Sequence, residues 1–155
     1  MLTIRYRLTG TGWSECDLRS DEMSVTVSAS YLSDALGDLA RAVLMLVQGE
    51  GESRCSFEEE PGEYRWIFTR TDGEAGVDLH ILSFNDAFAQ LPDERGDEVF
   101  TAATTMPELV RALVAALDEV REEHGLDAYR AKWVEHYFPE DEHAALAAAA
   151  AATEH

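Results

Sequence analysis

Basic residues are scarce in this chain. One lysine and eleven arginines stand against 31 acids, a formal charge of −19 over 155 residues. Such a surface repels phosphate backbones and anionic lipid headgroups, which excludes nucleic acid and membranes as partners and favours a basic protein. The imbalance is uneven: residues 1–70 hold 12 acids and 7 bases, residues 71–155 hold 19 and 5. Cysteine is almost absent. Cys16 and Cys55 lie in strand-like segments without metal-ligand spacing and read as buried thiols, one disulfide between them being the alternative. No apolar run approaches the ~20 residues needed to cross a bilayer. MLTIRYRLTG lacks the apolar core of a signal peptide, so the expected location is the cytoplasm.

Catalytic signatures are missing too. There is no G-x-S-x-G, no glycine-rich phosphate loop and no cysteine with a catalytic neighbour pattern. Gly10-Thr11-Gly12 precedes a strand rather than a helix and reads as a hairpin turn. His136 and His143 flank Glu140, Asp141 and Glu142, but a proline separates them and they are not at the H-x3-H spacing that sets two ligands on one helical turn. No metal, cofactor or catalytic residue is expected. His80, on a strand between Asp78 and Leu82, and His136 are the two residues that an alternative small-ligand or hydrolytic pocket would need. Glu58, Glu59, Glu60 and Glu63 straddle a hairpin tip, where carboxylates stay solvated.

What is present is a clear alternation of elements. A hydrophobic share of 46% is enough for one core. Leu2, Ile4, Tyr6 and Leu8 alternate with polar residues, a second strand runs about 13–18, and Met23, Val25, Val27 and Ala29 mark a third. Ser30 is expected to cap a helix over 31–48 whose buried stripe includes Leu32, Leu36, Leu39, Val43, Leu46 and Val47. Strands at 54–60 and 63–71 flank Pro61-Gly62, a type II turn signal. A turn at Asp72-Gly73 leads to a strand over 77–84, and a loop leads to an edge strand at 98–103.

Thr105, with Glu108 three residues on, opens a long amphipathic helix as a capping box. Gly125 stops it, and a shorter aromatic helix with Tyr129, Trp133 and Tyr137 runs to Pro139. The expected fold is α+β: a predominantly antiparallel sheet of six to seven strands, one helix on a face, and a C-terminal helical pair. Residues 1–139 form the domain; 140–155 are an alanine-rich tail, helical or frayed.

Two surfaces qualify as candidate contacts. Alternation puts Arg5, Arg7 and Arg65 on the wet face of the sheet, with Trp13 beside Glu15 and Asp17 as a protein-contact anchor unless the C-terminal helices cover it. Glu119, Glu122, Glu123, Asp127 and Glu135 make an acidic docking patch on the helical pair. In size, acidity, strand-meander layout and lack of a catalytic motif, the chain resembles the bacterial immunity-type proteins that inactivate toxin domains. Through SYLSDALGDLARAV, EPGEYRW and YRAKWVEHYFP it also resembles small acidic bacterial proteins of no assigned function. The first resemblance implies a non-enzymatic protein-binding module that inhibits a basic toxin or nuclease. A homodimer formed through the open sheet face is a further alternative.

Overall fold

The computed structural model describes residues 1–71, 75–86, 90–134 and 136–152. The described strands and helices run β1 (Thr3–Gly10), β2 (Trp13–Arg19), β3 (Ser24–Ser30), α1 (Ala35–Val47), β4 (Glu52–Glu58), β5 (Glu63–Arg70), β6 (Gly76–Phe84), β7 (Asp97–Thr105), α2 (Met106–Lys132) and α3 (Glu140–Ala152). The architecture is α+β, with one helix between two runs of strands and the other helices after them, as expected.

The strands form two antiparallel meanders, β1-β2-β3 and β4-β5-β6-β7, instead of one sheet. Side-chain bonds mark their junction. The Ser30 hydroxyl donates to the Glu58 carbonyl (3.1 Å), and the Glu58 N–H donates to the Ser33 hydroxyl (3.2 Å). β3 and β4 are thus joined at one end by side chains, without a ladder between them.

This use of Ser30 also displaces the helix. The same hydroxyl accepts the Leu32 N–H (3.3 Å), a local turn that competes with helix, so α1 begins at Ala35 rather than Tyr31. Leu32 is consequently exposed, whereas Leu36, Leu39, Val43 and Leu46 are buried as the periodicity required. The 58–63 hairpin forms with Glu58 paired to Glu63, but the Glu60–Pro61 peptide is cis. Gly62 does not take the positive φ that a type II turn needs at its third position, so the turn is not type II. The expected turn at Asp72-Gly73 lies outside the described residues.

One core fills the space between meanders and helices. Tyr6, Cys16, Leu18 and Val27 enter from the first sheet, Phe57, Trp66, Phe68, Leu79, Ile81 and Phe100 from the second, and Leu109, Leu113, Leu117 and Val120 from α2. Each such side chain contributes about 1.5–3 kcal/mol of gross burial, so packing and not propensity decides the fold. Cys16 and Cys55 are free, and burial pushes both thiols above their ordinary value.

α2 opens as a half-realised capping box. Thr105 Oγ accepts the Glu108 N–H (3.3 Å), but Glu108 does not reach back to residue 105. Its carboxylate instead accepts the Leu2 N–H (2.6 Å) and the Thr104 hydroxyl (3.1 Å), tying the start of β1 to the helix. Burial pushes the Glu108 carboxyl up, yet these bonds outweigh it and hold the group below its ordinary value. Glu108→Gln should cost about 1–2 kcal/mol in urea unfolding and speed amide exchange at Leu2; unchanged exchange there would sink the assignment.

Gly125, at φ 72° and ψ 176°, interrupts α2 where the sequence places a stop. The aromatic segment then ends early, at Lys132, because Val134 takes φ 49° and turns the chain. Tyr129, Trp133 and Phe138 are buried, while Tyr137 swings into solvent. α3 follows as a full helix packed on α1 and α2 through Leu146.

Candidate protein-contact surface

The outer face of the first meander is built by alternation. Register pairs Arg5 with Asp17 and Arg7 with Glu15, so their side chains share the face opposite the core. The Arg7 Nη2 donates to Glu15 (3.2 Å) and to both Asp17 oxygens (3.0 and 3.1 Å). Thr26 Oγ1 donates to Asp17 at 2.7 Å. The Thr26 bond, helped by Arg7, holds the Asp17 carboxyl below its ordinary value against the opposing push from burial. Arg5 Nε reaches across to Glu119 of α2 (3.0 Å). These pairs are largely solvated and add little stability, but they fix the charged groups in place. Trp13 stands at the end of this face, 41% exposed.

The helices therefore do not cover this sheet face. They pack on the other side, against Leu2, Ile4 and Tyr6.

Arg65 has a different environment. Its guanidinium is bonded to Glu63 (3.2 Å) and Asp93 (2.8 Å), lies 4.2 Å over the Phe84 ring, and its side chain is only 15% exposed. Asp93 also receives Arg54 (2.8 Å), so the segment around 93–96 is latched onto the outer face of the second sheet. Gly96 permits this closeness, since a Cβ there would come within 2.6 Å of the Phe84 ring. The outer face of the second sheet is thus covered around Arg65 and Phe84, where that of the first carries no such latch among the described residues. Asp93 lies 28 residues from Arg65 in a loop, and alternation within strands carries no information about such a partner.

On α2, Glu122, Glu123 and Asp127 are exposed, and Glu119 is partly so. Among the described residues Glu122 and Asp127 have no ion-pair partner, while Glu123 approaches His124 at 4.0 Å. Glu135 lies outside the described residues.

The two histidines are held on separate elements. His80 Nδ1 pairs with Glu98 Oε1 (2.6 Å) on the wet side of β6 and β7. The His136 Nε2 donates to the Tyr31 carbonyl (2.9 Å) beside a groove of about 430 Å³ bordered by Glu140, Asp141 and Glu142. The two histidines thus do not converge on one site. His143, which the sequence sets beside the same acids, is buried, bonded to Asp118 (2.6 Å) and edge-on to Phe138. It clamps α3 to α2. Among the described residues no group of three or more histidine, cysteine or acidic side chains is arranged to hold a metal ion. No described helix is long and apolar enough to cross a membrane.

No family model and no curated protein matches the chain. Among solved structures it is similar to a chain of the CdiA-CT/CdiI toxin and immunity complex from Enterobacter cloacae, at 10% identity and a TM-score of 0.49, covering 76% of this chain and 99% of that one.

Proposed function

We propose that this protein is a non-enzymatic binding module of the immunity type, which neutralises a basic toxin or nuclease by occupying it. One observation carries the reading: Trp13 stands in solvent on an open, charge-ordered sheet face, flanked by a helix whose Glu122 and Asp127 have no basic partner of their own among the described residues. A half-exposed tryptophan supplies the apolar anchor that hot spots require, and the acids supply steering toward a cationic surface. The arginines of the sheet face are already neutralised by Glu15, Asp17 and Glu119, so the field beyond the surface stays negative.

The test is capture from the native cell on immobilised full-length protein. A basic protein should be retained and should elute as salt rises from about 0.1 to about 1 M, where the Debye length falls from about 10 to about 3 Å. Replacing Glu122, Glu123 and Asp127 together by lysine should slow its association about 10-fold or more, and Trp13→Ala should weaken binding about 30-fold. A retained partner whose binding ignores ionic strength and all four substitutions would refute this reading.

A further inference from the structure

Four exposed apolar side chains converge on one end of the molecule through backbone bonds. The Gly12 N–H donates to the Lys132 carbonyl (2.7 Å) and the Tyr31 N–H to the Gly12 carbonyl (2.9 Å). The Tyr31 ring lies over Gly12 so closely that a Cβ there would meet its Cδ1 at 2.9 Å. His136 closes the ring of contacts by holding the Tyr31 carbonyl. These bonds bring the β1–β2 turn, the segment after β3 and the end of α2 together, and with them Trp13, Tyr31, Val134 and Tyr137. All four are exposed, Tyr137 by 65%. Side chains of this size normally pack; here three separate segments turn them outward at one end of the molecule. Asp127 lines a groove with Val134 and Arg130, and Asp141 lines a second with Tyr137, Glu140, Glu142 and Arg41, where acids outnumber the one arginine.

We infer that this end is an aromatic platform selective for arginine side chains of a basic partner segment. The inference rests on the binding role proposed above and deepens it by naming what the partner presents. The chemistry of the platform chooses the guanidinium. Arg130 already lies 4.5 Å over the Tyr137 ring, so this ring takes a planar cation in a geometry the protein itself displays. A guanidinium stacks on an aromatic face and still donates to carboxylates at its edge, whereas a strongly hydrated ammonium gains less from the ring. Aromatic faces with Asp127 and Asp141 at their margins satisfy both demands. An acidic helix alone would attract lysine and arginine equally.

The experiment titrates the full chain with tetra-arginine and with tetra-lysine in low salt, following tryptophan emission. Trp66 and Trp133 are fully buried, so the response reports Trp13. Tetra-arginine should shift the emission and bind about 5-fold tighter than tetra-lysine. Tyr137→Ala, at a position far into solvent, should abolish that preference while leaving tetra-lysine affinity within about twofold, since the remaining attraction is net charge. Equal binding of the two peptides, or an arginine preference that survives Tyr137→Ala, would overturn the inference. If the captured partner depends on Glu122, Glu123 and Asp127 but the peptides are not distinguished, only the platform falls. If the peptides are distinguished and no basic protein is retained, the platform stands and the immunity-type reading falls.

Discussion

Leu146→Ala should destabilise the protein by about 3 kcal/mol and lower its melting temperature by about 6–12 °C, although the residue sits in a run of alanines near the end of the chain. α3 presents one large apolar side chain to the rest of the molecule. Leu146 is fully buried, and the helix's other buried positions are His143 and Ala150. The helix is clasped by polar contacts from both sides: His143 to Asp118 of α2, and Glu142 to Arg41 of α1 at 3.7 Å. Alanine favours the helix but anchors nothing, so the cavity left at residue 146 falls on the single apolar fastening. Ala148 is exposed on the same helix, and Ala148→Ser should cost about 0.5 kcal/mol or less. Urea unfolding checks both through a midpoint shift at constant slope. Equal, small effects at 146 and 148 would mean that α3 is not part of the folded unit.

The same residue explains which parts of the fold were legible in advance. Strands were readable because period-two alternation is local: Ile4, Tyr6, Cys16, Leu18 and Val27 all point where their neighbours in sequence say they should. The Thr105 cap and the Gly125 break were readable because each depends on a few adjacent residues. Features that depend on distant partners were not. A single leucine among alanines gives no stripe, yet it is buried because α1 and α2 supply the other two walls. Ser30 has the chemistry of a helix cap, but Glu58, 28 residues on, takes its hydroxyl and delays the helix to Ala35. The end of α2 was misjudged for a related reason. Tyr129, Trp133 and Tyr137 share helical spacing, and only the turn at Val134 separates the two buried rings from the exposed one. That turn converts what reads as a core stripe into part of the candidate binding surface.

Asp93→Ala should cost about 2–3 kcal/mol at neutral pH, and the cost should fade in acid. Asp93 receives hydrogen bonds from Arg54 (3.0 Å) and Arg65 (2.8 Å), and its loss leaves the little-exposed Arg65 with Glu63 alone. Hydrogen bonds to charged groups contribute about 1.5–3 kcal/mol each when removal strands a partner, and the exposed Arg54 pair is discounted for solvent screening. The Arg54 bond, then the Arg65 bond, hold the Asp93 carboxyl below its ordinary value. A carboxyl depressed in the folded state contributes its full stability above the unfolded value, near 4 for aspartate, and loses it as pH falls through the folded value. The difference between wild type and Asp93→Ala in urea should therefore be constant from about pH 6 to 8 and shrink below about pH 4. A difference that persists unchanged at pH 3 would show that Asp93 acts through packing and not through its charge. The functional consequence separates the two sheets. Releasing the latch uncovers Phe84 and Arg65 on the second sheet but leaves Arg7, Asp17 and Trp13 on the first undisturbed, so partner binding through the proposed surface should survive the substitution at temperatures where the variant stays folded.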